Sequence, residues 1–139
     1  SRGSSLTGLL DDLAAQFGVY ATDAYSVRVA DLSTIPPILE RLRRQPPRSL
    51  GREQVVRLDD LALGLDGLPP TEGVRLVTAR DSRIIVRPSG TEPKLKVYLE
   101  VIESVPGQRG PSEVAAARLA AATRLKGIKS AMSRHTRPQ

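Results

Sequence analysis

The sequence predicts an α+β fold in which helices pack on one face of a four-stranded antiparallel sheet. Two observations support this prediction. Apolar residues recur every three or four positions towards both ends of the chain, which is the spacing of an amphipathic helix. In the middle of the chain they alternate with polar residues between glycine- and proline-containing turns, which is the spacing of a half-buried strand.

Three helices are predicted, two before the four strands in the middle of the chain and one after them. The first covers Leu6–Phe17 and is followed by Gly18, a residue type that commonly ends helices. The second covers Ser33–Arg44, where prolines occupy the first turn and a Pro-Pro pair follows the last. The third is alanine-rich and covers Ser112–Met132.

Four strands are predicted in the middle of the chain. They are Gln54–Leu61, Val74–Ala79, Arg83–Arg87 and Leu95–Glu103. In the last of them leucine and valine alternate with lysine, tyrosine and glutamate, so one face of the sheet should be buried and the other exposed to water. Before the second helix, Val19–Val29 is predicted to be a connector with one short strand near Tyr25–Val29.

The composition excludes several kinds of protein chemistry. The chain has no cysteine, which excludes disulfides and thiolate chemistry. Its single histidine, His135, excludes a histidine-rich metal site. No apolar run is long enough to cross a bilayer. We therefore expect a cytoplasmic protein that does not act on membranes.

The net charge of +6 is concentrated near the end of the chain. Of the 21 basic residues, six follow Glu113, and the fifteen before them balance the fifteen acidic residues of the chain. The positive charge therefore belongs to the last segment and does not indicate a basic groove.

The stretch between the last two predicted strands has more charged and hydroxyl-bearing side chains than a plain turn needs. It reads RPSGTEPK, residues 87–94. Arg87 can present a planar fork of donors to two phosphate oxygens, and Ser89 and Thr91 supply hydroxyl donors. Gly90 lets backbone N–H groups come close to a ligand, and successive amides in such a turn can form an anion-binding nest. The stretch therefore predicts a phosphate-binding loop.

Other residues in and beside the stretch adjust its shape and charge. Pro88 and Pro93 reduce its freedom before binding. Lys94 and Lys96 add positive potential, which Glu92 partly offsets. The alternative is an ordinary loop, whose serine, glycine and prolines form turns and whose arginine is a surface residue.

The stretch RPSGTEPK followed by LKVYLE resembles the phosphate-binding loop of the α-D-phosphohexomutases, which are the phosphoglucomutases and phosphomannomutases with phosphoglucosamine mutase as a relative. The order of helix, strands, loop and final helix resembles the C-terminal domain of that family, whose fold is like that of the TATA-box-binding protein. By this resemblance residues 31–133 form the C-terminal phosphate-binding domain and 134–139 a tail. Residues 1–18 are then the terminal helix of the preceding domain, and 19–30 an interdomain connector and candidate hinge.

The resemblance implies that the chain is part of a phosphoglucomutase or phosphomannomutase, an isomerase that works by phosphotransfer. In that family a phosphoserine in the first domain donates its phosphoryl group to a hexose phosphate. The hexose bisphosphate then turns around and returns its other phosphate, while the C-terminal loop grips the phosphate that is not reacting. Carried over by position, the substrate phosphate contacts are Arg87, Ser89, Gly90, Thr91 and Lys94.

The family's catalytic motifs are not found in this sequence. It lacks the Ser-His-Asn-Pro-like segment of the catalytic serine, the aspartate-rich magnesium loop and the Gly-Glu-x-Ser-Gly sugar motif. We therefore expect no catalytic residue and no metal ligand here, Mg²⁺ held elsewhere in the full-length enzyme, and no activity from this chain alone. The expected partners are hexose phosphate, hexose bisphosphate and the preceding domains of the same enzyme.

Two other functions are compatible with the same pattern. A small basic nucleic-acid-binding α+β module would also have a one-sided antiparallel sheet and a positive tail. Against it, Tyr98 is the only aromatic residue expected on the exposed face, whereas RNA binders stack bases on several. The last basic residues are also spread along an alanine-rich helix, so nucleic acid is not an expected partner. The third function is an interaction domain that keeps the fold without binding a ligand.

Overall fold

The computed structural model describes residues 18–64, 67, 69–105 and 110–138. Within these ranges the chain forms strands and helices in the order β1 (Val19–Arg28), α1 (Ile35–Arg44), β2 (Ser49–Leu50), β3 (Glu53–Asp60), β4 (Val74–Thr78), β5 (Arg83–Pro88), β6 (Lys94–Glu103) and α2 (Pro111–His135). Short 3₁₀ turns lie at Leu32–Thr34 and Leu61–Leu63. The first predicted helix, Leu6–Phe17, lies outside the described residues.

The strands form one antiparallel sheet in the order β1-β6-β5-β4-β3-β2. Helices α1 and α2 contribute to a single hydrophobic core on one face of this sheet. The predicted α+β class, with helices on one face, is confirmed. The predicted number of strands is wrong, because the described residues form six strands, with β1 and β2 added at the two edges.

Strand β1 is ten residues long where a connector with a short strand was predicted. All of its residues pair with β6, from Val19 opposite Glu103 to Arg28 opposite Lys94. Asp23 interrupts the apolar alternation of this segment, which made it look irregular in the sequence. The partner strand lies far along the chain, so its backbone groups supply a ladder that no local pattern reveals.

The buried face of the sheet and the two helices exclude water together. On β6 the buried side chains are Leu95, Val97, Leu99 and Val101, and the alternate residues lie on the open face, as the alternation predicted. Three of the buried residues of α2 are alanines, whose small side chains let the helix lie close to the sheet. Neither helix within the described ranges is long and apolar enough to cross a membrane.

A buried ion pair joins α2 to the end of the sheet that lies away from the β5–β6 loop. The Arg124 guanidinium lies 2.7 Å from the Glu53 carboxylate and 2.6 Å from that of Glu103. The hydroxyls of Ser82 and Thr78 also donate to Glu53, at 2.6 and 2.8 Å. The network therefore ties the helix to the start of β3 and to the turn between β4 and β5.

This network lowers the pKa of Glu53. Burial acts to raise the pKa of the carboxyl group, but hydrogen bonds from Arg124, Ser82 and Thr78 outweigh burial and bring it below its ordinary value of 4.5. A carboxylate whose pKa is lowered by folding stabilises the folded chain above its ordinary pKa. That stabilisation is lost as the pH falls through the folded pKa.

We expect Glu53→Gln to lower the free energy of unfolding at pH 7 by about 3 kcal/mol, because the buried Arg124 side chain loses its main partner. As the pH falls below 4.5, the wild-type chain should lose stability and the variant should lose less. Urea unfolding at pH 7 and at pH 3.5 measures both effects. Glu40→Gln, in an exposed pair with Arg44, is the control and should change stability by less than about 0.5 kcal/mol.

Two results would contradict the role given to Glu53. One is a Glu53→Gln variant as stable at neutral pH as the wild-type chain. The other is an equal loss of stability by both proteins in acid.

Candidate anion-binding site

The loop between β5 and β6 is fixed by backbone hydrogen bonds on both sides. The Ser89 N–H donates to the Lys94 carbonyl at 3.0 Å, which extends the β5–β6 ladder into the loop. The Pro93 carbonyl accepts from the Val29 N–H at 2.9 Å, directly after β1 ends. These two bonds leave Gly90–Glu92 as a short bend that projects from the end of the sheet.

The bend presents several hydrogen-bond donors that have no partner among the described residues. Among the described residues, no acceptor is found for the backbone N–H groups of Gly90, Thr91 and Glu92, nor for the hydroxyls of Ser89 and Thr91. Gly90 has a φ of +87°, a left-handed conformation of the kind found in anion-binding nests. A Cβ built at Gly90 would meet no atom of the described residues within 4 Å, so the space beside it is open to a ligand.

Two positive charges lie directly opposite each other beside the bend. Arg87 on β5 pairs in register with Lys96 on β6. Within the described part of the chain neither has an acidic side chain within 4.0 Å. Like charges opposite each other destabilise an antiparallel pair. By contrast, the Arg75 guanidinium on the neighbouring strand β4 lies 3.0 Å from the Asp59 carboxylate. The positive charges of Arg87 and Lys96 beside the loop have no such carboxylate among the described residues.

Lys94 differs from these two cations because it has a carboxylate partner. Its ammonium lies 3.6 Å from one Glu92 oxygen, and the other Glu92 oxygen lies 3.4 Å from the Arg28 guanidinium. Arg28 is not among the residues predicted to bind phosphate, because only the long-range pairing of β1 with β6 brings it beside the loop.

The five residues predicted to bind phosphate therefore fall into two groups. Arg87, Ser89, Gly90 and Thr91 carry donors that no described residue uses, whereas the Lys94 ammonium faces a carboxylate. Their role in binding stays a prediction. The described residues contain no group of three or more His, Cys, Asp or Glu side chains that could hold a metal ion.

Gly73, directly before β4, supports the position of Arg87. A Cβ at this glycine would come within 2.6 Å of the Val86 carbonyl oxygen and 3.1 Å of the Arg87 Cβ. Its φ of +138° also disfavours other residues. Because glycine has no side chain, the start of β4 can lie directly against the Cα and Cβ of Arg87.

The chain matches a family whose members are sugar-phosphate mutases. A family model described as the C-terminal domain of phosphoglucomutase/phosphomannomutase covers residues 27–126, which include the whole loop. The chain belongs to the phosphoglucomutase/phosphomannomutase family.

Two relatives and one solved structure show how much of such a protein this domain represents. A probable phosphomannomutase of Haemophilus influenzae is 32% identical over 99 residues, which are 71% of this chain and 20% of that protein. Human phosphopentomutase is 28% identical over 130 residues, with 82% of this chain and 21% of that protein covered. This phosphoglucomutase/phosphomannomutase domain thus spans about a fifth of the length of these relatives.

The solved structure is the open form of pp63/parafusin, a phosphoglucomutase from Paramecium. It matches 95% of this chain over 24% of its own, with 21% identity and a TM-score of 0.53. At this level of identity the likeness shows a shared fold.

We expect Gly73→Ala to lower the free energy of unfolding by about 3 kcal/mol, because the added methyl group collides with backbone that neighbouring strands hold in place. Gly90→Ala is the matched control. It also has a positive φ but meets no neighbour, so it should lose only about 1 kcal/mol. Urea unfolding of the two variants makes the comparison, and equal losses would contradict the close contact at Gly73.

Proposed function

We propose that this chain is the phosphate-binding domain of a mutase that moves a phosphoryl group between the 1- and 6-positions of a hexose through a bisphosphate intermediate. The loop of residues 87–94 binds the phosphate that is not being transferred. The observation that carries this proposal is the set of donors at the bend that no described residue uses, beside two opposed cations that lack an acidic partner in the same part of the chain.

Each group at the loop suits one part of a phosphate monoester. The Arg87 guanidinium can bind two phosphate oxygens at once. The N–H groups of Gly90 and Thr91 and the hydroxyls of Ser89 and Thr91 can donate to the remaining lone pairs. Hydrogen bonds to a charged group contribute roughly 1.5–3 kcal/mol each, so three or four of them hold a phosphate without a metal ion. Lys94 adds positive potential at the edge of the site.

The loop serves catalysis by binding the substrate at a distance from the reacting atoms. Both ends of a sugar bisphosphate are phosphate monoesters, so the same donors accept the intermediate in either orientation. Binding energy from the unreacting phosphate then positions the other end against the phosphoserine, which belongs to the preceding domains of the same enzyme. This chain alone therefore has no mutase activity.

The names of the relatives agree with a site that recognises phosphate more than sugar. A phosphomannomutase and a phosphopentomutase differ in the sugar that their names give, whereas phosphate is common to both. All the donors at the bend suit phosphate oxygens, so the same loop fits either kind of substrate. Residues outside this chain then choose the sugar.

A Mg²⁺ ion, which assists phosphoryl transfer by neutralising developing charge, does not fit the described residues. They bring no three acidic or histidine side chains together. In this proposal the ion is held with the phosphoserine in the preceding domains, and the loop acts through its own donors.

The proposal is tested by Arg87→Ala in the complete enzyme that contains this chain. We expect kcat/KM for the sugar phosphate to fall about 100-fold, because a two-bond contact with the phosphate is lost. The folded domain should be at least as stable as before, since the repulsion between Arg87 and Lys96 is removed. Steady-state kinetics and thermal unfolding measure the two effects.

The control is Arg83→Ala, which removes an arginine from the same face of the same strand and should leave kcat/KM within about twofold. Equal kinetics for the Arg87→Ala variant and the wild-type enzyme would show that the loop does not hold the substrate phosphate. Equal losses in the two variants would show a general effect of charge in place of a specific contact.

A further inference from the structure

A single carboxylate holds two cations at one edge of the candidate site. Glu92 lies between Arg28 at the end of β1 and Lys94 at the start of β6, at 3.4 and 3.6 Å. These two basic residues are directly opposite each other in the β1–β6 ladder. Ser89 adjoins Lys94 on the other side through its backbone hydrogen bond. Arg28, Lys94 and Ser89 thus form one row across three neighbouring chain segments.

The cations around the loop are therefore of two kinds. Arg87 and Lys96 have no acidic partner among the described residues, whereas Arg28 and Lys94 share the carboxylate of Glu92. The side chains of Arg28 and Glu92 are 70% and 48% exposed. Ion pairs between exposed groups are weak, so the Glu92 carboxylate can leave Arg28 at little cost in free energy. The Lys94 side chain is only 16% exposed, so its ammonium needs the incoming phosphate in place of the carboxylate.

We propose that Arg28 is a further phosphate-binding residue, and that Glu92 is an internal counter-ion that a doubly charged phosphate displaces from Arg28 and Lys94. This inference depends on the proposed function of the loop. A phosphate monoester brings two negative charges and three acceptor oxygens, whereas the carboxylate that it replaces brings one charge and two oxygens.

The exchange gives the loop a preference among anions. A monoester dianion gains the full attraction of the released Arg28 and Lys94, which repays the loss of their pairs with Glu92. An anion with a single charge, such as a phosphodiester, only replaces the carboxylate charge for charge. Glu92 therefore weakens the binding of singly charged anions more than the binding of doubly charged ones. The loop thus prefers terminal phosphate groups.

The test is a titration of the 139-residue chain with inorganic phosphate at pH 8 and constant ionic strength, followed by the amide NMR signals of Gly90 and Thr91. Arg28→Gln should weaken phosphate binding about tenfold, since it removes a charge-assisted contact. Glu92→Gln should strengthen it roughly threefold to tenfold, because no carboxylate competes. In a chain that already carries Arg28→Gln, Glu92→Gln should increase the phosphate affinity less than it does in the wild-type chain. The reason is that Glu92 then no longer competes with phosphate for Arg28.

Arg44 and Glu40 provide matched controls. They form an ion pair of similar exposure, 78% and 50%, on α1. Arg44→Gln and Glu40→Gln change the net charge in the same way and should leave phosphate affinity within about twofold.

The possible outcomes separate this inference from the proposed function. If Glu92→Gln weakens binding, Glu92 is a clamp that shapes the loop and the displacement is wrong. If Arg28→Gln leaves the affinity unchanged while phosphate still shifts the Gly90 and Thr91 signals, Arg28 is not a ligand and the proposed loop function stands. If phosphate shifts no signal of the bend in the wild-type chain, the proposed function fails and this inference fails with it.

Discussion

The register between β5 and β6 is the constraint on which the candidate site depends. It places Arg87 opposite Lys96 and continues through the Ser89-to-Lys94 backbone bond, so the chain must reverse direction within Gly90–Glu92. A slip of one residue would turn Arg87 into the core and bury its charge. The apolar residues that alternate with these cations therefore fix the site as firmly as they fix the sheet.

The two ends of the sheet differ in whether carboxylates compensate their positive charges. At one end Arg124 is buried and satisfied by Glu53, Glu103, the Ser82 hydroxyl and the Ile102 carbonyl, which gives a rigid joint between helix and sheet. At the other end Arg87 and Lys96 are left without an acid among the described residues. A protein that only needed stability would gain by compensating them, so the charge left at the loop supports the proposal of an anionic ligand.

Most of this arrangement could be predicted from the sequence. The one-sided sheet followed from the alternation in β6, and four of the residues predicted in the RPSGTEPK stretch carry donors that no described residue uses. The full length of β1 and the presence of β2 could not be predicted, because β1 depends on a partner strand far along the chain and β2 is only two residues long. The same long-range pairing hid the contact between Arg28 and Glu92, and Gly73 gave no sign of its closeness to Arg87.

The most direct test of the phosphate-binding loop is a crystal structure of the complete enzyme that contains this chain, with a hexose 1,6-bisphosphate bound. We predict that one phosphate lies within hydrogen-bonding distance, about 2.7–3.2 Å, of the Gly90 and Thr91 amides and of the Arg87 guanidinium. A complex in which both phosphates bind away from residues 87–94 would contradict it.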